Sequence, residues 1–242
     1  MNRFSFVSLL FMILMPLSAA YAEEVNGTFY ELGSNKTKIL YTVVAKNTDT
    51  GSHKVFYTAK GEVAVIEDAK FANGEVTDYS IEHKLFPEQG SFFVRDGKVN
   101  FSFTKNGKTE TDSEDVRPNL TIGPHIVTVL RKNWDRIMKG ETVETRYVAL
   151  ERKETVGFKF FKTEEKVMPE FGTKPVVLVR MKPSSFVIAA LVDPLTFIYE
   201  KDGSHLLQVT GRTQPKILKD GKWKDLDVDI VYTYGAPVPQ KP

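Results

Sequence analysis

The sequence predicts a mainly β protein: one large, strongly curved antiparallel sheet, a half-open barrel, with one or two helices on its concave face. Three observations predict it. Alternating apolar and polar runs recur along the chain, Asn-Gly and Asp-Gly dipeptides separate them, and only two short segments break the rhythm. A closed β-barrel or a two-sheet sandwich is the alternative assembly of the same elements.

In chain order, residues 1–22 come first and read as a cleavable export signal. Met1-Asn2-Arg3 gives a positive start, residues 4–17 are apolar except for Ser5, Ser8 and Pro16, and Ala20-Tyr21-Ala22 supplies a small-x-small cleavage site. The run is shorter than the roughly 20 apolar residues that a membrane-spanning helix needs. The expectation is cleavage after Ala22, a periplasmic location, one β-rich domain over residues 23–235 and a loose tail over 236–242.

Alternation marks strands at 38–45, 76–83, 142–150, 156–161 and 175–181. Phe92-Phe93-Val94, Asp96-Gly97, 99–103 and Asn106-Gly107 form a meander, because these dipeptides adopt the positive φ angles of two-residue hairpin turns. Asn73-Gly74, Asp202-Gly203 and Asp220-Gly221 repeat the signal. In the last strand Leu226, Val228, Ile230, Tyr232 and Tyr234 share one face and Asp225, Asp227 and Asp229 the other, so one face must be buried.

The first break, 125–138, sets Ile126, Leu130, Trp134, Ile137 and Met138 at helical spacing between Pro124 and Lys139-Gly140, an opening and a closing signal. The second, 184–192, runs apolar from Phe186 to Val192 and stops at Asp193-Pro194. Its two alanines and leading serines favour a short helix, although periodicity also allows a buried strand.

The function classes excluded are broad. Lys+Arg number 33 against 31 Asp+Glu, and loss of Arg3 with the signal brings them to near equality, so attraction to nucleic acid or anionic lipid is not implied. Without cysteine there is no thiol nucleophile, thiolate metal ligand or cysteine-linked lipid anchor. Sequons at Asn26, Asn35, Asn100 and Asn119 matter only in a eukaryotic secretory host. Ser52-His53 and Ser204-His205 are neighbours on extended backbone, where adjacent side chains point to opposite faces, so neither pair forms a nucleophile and base. Asp225, Asp227 and Asp229 read as a solvated strand face, His83 and His125 as surface or capping residues, and no phosphate loop, dinucleotide fingerprint or metal-ligand spacing occurs. No catalytic residue, cofactor or metal is expected.

Trp134, central in the first apolar stripe, either packs on the sheet or lines a ligand cavity between helix and sheet. Phe186, Ile188 and Leu191 exceed what one thin helix face must hide, which favours the cavity.

The C-terminal half resembles a proteobacterial family of exported proteins of unknown function. The resemblance rests on Asn133-Trp134-Asp135 through Gly140-Glu141-Thr142, then Arg146-Tyr147-Val148 and Val156-Gly157-Phe158. It continues at Ser185-Phe186, Leu191-Val192-Asp193-Pro194, Tyr199, Leu206-Leu207 and Gly211. It implies the half-open barrel of periplasmic lipoprotein carriers such as LolA and brings no catalytic residues. The expected function is periplasmic, non-enzymatic binding of an apolar or amphipathic ligand, a lipid or acyl chain, at Trp134, Phe186, Ile188 and Leu191. The rival is an envelope structural or assembly factor working through a protein surface. An empty apolar cavity above about 300 Å³ separates the two.

Overall fold

The computed structural model describes residues 23–190 and 192–235; the signal segment 1–22, Leu191 and the tail 236–242 lie outside the described residues. The chain opens with strands β1 (Glu23–Glu31), β2 (Ile39–Thr48), β3 (Gly51–Thr58), β4 (Val63–Ala72), β5 (Glu75–His83), β6 (Glu88–Arg95), β7 (Lys98–Lys105) and β8 (Lys108–Asp115). After β9 (Leu120–Thr121) come helices α1 (Ile126–Lys132) and α2 (Trp134–Met138), then β10 (Val143–Ala149), β11 (Glu154–Val167) and β12 (Pro175–Pro183). Helix α3 (Phe186–Ala189) precedes β13 (Leu195–Glu200), β14 (Leu206–Arg212), β15 (Ile217–Lys219), β16 (Lys222–Lys224) and β17 (Asp227–Tyr234).

Fifteen of these strands form one sheet in the order β8-β7-β6-β5-β4-β3-β2-β1-β17-β14-β13-β12-β11-β10-β9. Neighbours are antiparallel except β9 and β10. The turn chemistry explains the meander: Asn73-Gly74, Asp96-Gly97 and Asn106-Gly107 each hold both residues at positive φ, the tight-hairpin geometry whose twist matches that of the strands. Asp220-Gly221 does the same for the separate hairpin β15–β16. Register shifts at Phe29/Tyr30, Phe56/Tyr57, Lys70/Phe71, Lys162/Glu164 and Ile198/Tyr199 add the local bends that coil so wide a sheet. Its flanks then meet through side chains: the Thr155 N–H donates to Glu114 Oε1 at 3.0 Å, and Lys153 pairs with Glu110 at 2.9 Å. The outermost strand β8 carries Glu110, Asp112 and Asp115, charges that discourage edge pairing with another chain.

The helical segment lies inside the curve, with Ile126, Val129, Leu130, Trp134 and Ile137 buried in the same cluster as Phe29, Phe56, Phe160 and Phe197. It is two helices rather than one continuous rod. Asn133, at φ −111° and ψ 14°, breaks the ladder, and its side-chain amide donates to the Val129 carbonyl at 2.9 Å. The second segment does form a helix, but α3 leaves Phe186 88% and Val187 71% exposed. A single turn between β12 and β13 cannot reach the concave face, which α1 and α2 already cover. His125 also departs from the surface reading. It is buried, with Nε2 2.9 Å from the Gly74 carbonyl oxygen and Nδ1 3.3 Å from Thr121 Oγ1, which ties the start of α1 to the β4–β5 turn.

The last strand keeps its predicted faces: Val228 and Ile230 are buried, while Asp225 and Asp227 pair outside with Arg212. Asp229 is not idle there, since Thr210 Oγ1 donates to it at 2.6 Å and Gln208 Nε2 at 3.1 Å. Ile230→Ala should therefore cost about 2–5 kcal/mol, and Asp229→Ala about 1–2 kcal/mol from the abandoned donors. Chemical denaturation of both variants checks this, and equal losses would contradict the face assignment.

Candidate functional site

The inward phase of the strands encloses a lumen with two chambers. The first, about 210 Å³, is walled by Phe29 of β1, Val43 and Ala45 of β2, Phe56 of β3, Phe197 of β13, Val209 of β14, Ile230 and Tyr232 of β17, and Ile126 and Val127 of α1. These side chains reach it because alternation turns every second residue inward. One charge pair interrupts the apolar wall. Glu67, 1% exposed, accepts a hydrogen bond from the Tyr79 hydroxyl at 2.6 Å, and Lys54 Nζ stands 4.0 Å from its other oxygen. Burial pushes the Glu67 carboxyl up, opposed by the Lys54 charge, and burial likewise pushes Lys54 down.

The second chamber, about 290 Å³, adjoins the first across Gly123, Tyr147, Thr213 and Gln214, which line both. Its own wall includes His83, Glu88, Leu150, Glu151, Arg152 and Lys216. Glu88 is held by Lys216 at 2.6 Å and Lys105 at 2.9 Å. The His83 ring stacks on Phe86 with centroids 4.4 Å apart, and Phe86 packs on Trp223 of β16 at 4.7 Å. Burial, and secondarily the Lys216 charge, hold the His83 pKa down to about 4, so the imidazole is neutral at pH 7.

That shift has a measurable sign. Between pH 6.5 and about 4 the unfolded chain binds a proton that folded His83 refuses, so stability falls as the pH is lowered through this window. His83→Phe should remove a loss of about 2 kcal/mol between those limits, read from denaturation midpoints at several pH values. An unchanged pH slope would contradict the buried neutral state.

The residues singled out by sequence are not brought together. Trp134 is buried, but at the end of the lumen: its Nε1–H donates to the Lys201 carbonyl at 3.1 Å and its ring lies 5.1 Å from that of Tyr199. It is absent from the walls of both chambers. Phe186 faces outward, Ile188 is half-buried beside it, and Leu191 lies outside the described residues. The wall residues that sequence reasoning missed are Lys54, Glu67 and Tyr147. The signal was available for Glu67, which sits in phase with Val65, Ala69 and Phe71, a carboxylate on the inward face of a strand. Among the described residues no cluster of three or more His, Asp or Glu could hold a metal, and no helix is long and apolar enough to cross a membrane.

No protein-family model matches the chain, and no curated protein matches it significantly. Among solved structures it is similar to a crystal structure of a β-barrel-like protein of the domain of unknown function DUF1849 from Brucella abortus, at 10% identity and a TM-score of 0.50. The match covers 88% of this chain and 96% of that one. The curved, mainly β architecture is thus shared with a proteobacterial protein of unknown function.

Proposed function

We propose that this chain is an exported, non-enzymatic binding protein that carries an apolar or amphipathic ligand, an acyl chain or lipid, in the lumen of its half-open barrel. The observation that carries the reading is the apolar chamber between Phe29, Phe56, Phe197 and α1, which adjoins a second, more polar chamber across Tyr147 and Gln214. The apolar chamber, at about 210 Å³, is below the roughly 300 Å³ that separates the two readings, so its apolar lining and not its volume supports binding. The export pattern of residues 1–22 supports a periplasmic setting. The intact mass of secreted protein should correspond to a chain beginning at Glu23.

The test is calorimetric titration with lauric acid. The parent should bind one equivalent saturably, and Ala45→Phe, which places a ring in the chamber, should weaken binding about tenfold or more while the fold survives. No binding by the parent would retire the reading. A surface role in envelope assembly is the second reading, and α3 favours it, since Phe186 and Val187 project into solvent. Phe186→Ser should change stability by less than about 0.5 kcal/mol. A larger loss in thermal denaturation would mean that the side chain is packed.

A further inference from the structure

We infer that the apolar chamber takes an amphiphile with a carboxylate head, which Lys54 Nζ anchors; this rests on the lumen reading above and names the ligand's polar end. Lys54 lines the chamber from the inward face of β3, in phase with buried Ser52 and Phe56 and directly opposite Glu67 of β4. The Glu67 oxygen it faces is 4.0 Å away, beyond hydrogen-bond reach, and among the described residues the ammonium donates no hydrogen bond. Three donors therefore stand unused in the wall. Burial pushes the Lys54 pKa down, because the hydration it has lost is not offset by Glu67 at this distance. A ligand acceptor set on those donors replaces part of that hydration.

The sign of the head follows from which member of the pair can be reached. The Lys54 side chain is 23% exposed and that of Glu67 only 2%. Both Glu67 oxygens are also engaged, one accepting from the Tyr79 hydroxyl at 2.6 Å and the other facing Lys54. A cationic head would find its counter-charge covered, and a hydroxyl would meet the ammonium without matching its charge. A carboxylate brings both the charge and two acceptor oxygens. A single negative charge suits a cation already shared with Glu67 better than a dianion does. The strand register then orients the ligand. Lys54 pairs across to Ala45, Ala45 to Val25 and Val25 to Tyr234, one row of the wall. Phe29 lies four residues farther along β1, about 13 Å, in register with Ile230, which pairs in turn with Val209. With its head at Lys54, an acyl chain runs toward that apolar row.

The experiment titrates the mature chain at pH 7 with three probes of equal chain length, each below its micelle concentration: lauric acid, 1-monolauroylglycerol and dodecyltrimethylammonium. Lauric acid should bind about tenfold more tightly than either of the others, the scale of one charge-assisted hydrogen bond. The double variant Lys54→Met with Glu67→Gln removes both charges together, so that neither is left buried alone, and its new amide oxygen still accepts from Tyr79. There lauric acid should bind no more tightly than the monoglyceride. A parent that binds lauric acid saturably but no more tightly than the other two probes overturns the carboxylate assignment and leaves the lumen reading standing. So does a double variant that keeps the full preference. A parent that does not bind lauric acid overturns both. The parent's own ranking decides between these outcomes even where the double variant fails to fold.

Discussion

Gly203→Ala is expected to cost about 3–4 kcal/mol, more than most single substitutions of so small a side chain. Gly203 sits at φ +76° in the β13–β14 turn, where any L side chain is strained by about 1–2 kcal/mol. Its new Cβ would also stand 2.6–2.8 Å from ring atoms of Trp134. The ring has little freedom to move: its Nε1–H is committed to the Lys201 carbonyl, and the Tyr199 ring packs against it with centroids 5.1 Å apart. Relief must come from α2 backing out of the lumen, which uncovers Ile137. Urea denaturation should show a lowered midpoint with an unchanged slope. A loss below about 1 kcal/mol would mean that Trp134 is not held as described.

Phe29→Ala is expected to be as damaging, at about 3–5 kcal/mol. Phe29 is 1% exposed on β1, meets Phe56 edge to face at 5.8 Å, and lines the apolar chamber, so its deletion joins a new void to an existing one. The lumen reading makes this variant more informative than an ordinary core deletion. Lauric acid at about a hundred times its dissociation constant should return roughly 2.7 kcal/mol of the loss, because a ligand that binds only the folded state stabilises it by mass action. A variant that is destabilised and gains nothing from ligand would show that the chamber is core alone.

Much of the architecture was legible because it is set by local rules. Asn-Gly and Asp-Gly fix tight hairpins at 73–74, 96–97, 106–107 and 220–221, though at Asp202-Gly203 only the glycine takes positive φ within a longer turn, and the phase of Leu226, Val228 and Ile230 assigns the buried face of β17. The order of strands was not legible. That β17 returns to lie between β1 and β14 depends on which apolar faces meet across the lumen, and alternation is blind to that choice.

The site was less legible still. Trp134 and Phe186 stood out as large apolar residues, yet residue size does not report which side of a wall a side chain occupies. Trp134 caps a turn and Phe186 points to solvent. The residues that shape the lumen chemistry, Glu67 and Lys54, were hidden because charged residues in a strand are ordinarily read as the wet face. Their phase placed them inward with Val65 and Phe56. His83 and Lys216 are 133 positions apart in the chain, and only the fold of the 213–216 segment over the lumen brings them to one wall.

The central claim, that the barrel lumen holds an acyl chain, is tested most directly by a crystal structure of the mature protein with a fatty acid brominated at its terminal carbon. The account predicts an anomalous bromine peak in the apolar chamber, among Phe29, Phe56, Phe197 and Ile230. Bromine bound only outside the barrel, at α3 or over Trp223, with the lumen closed around its own side chains, would contradict it.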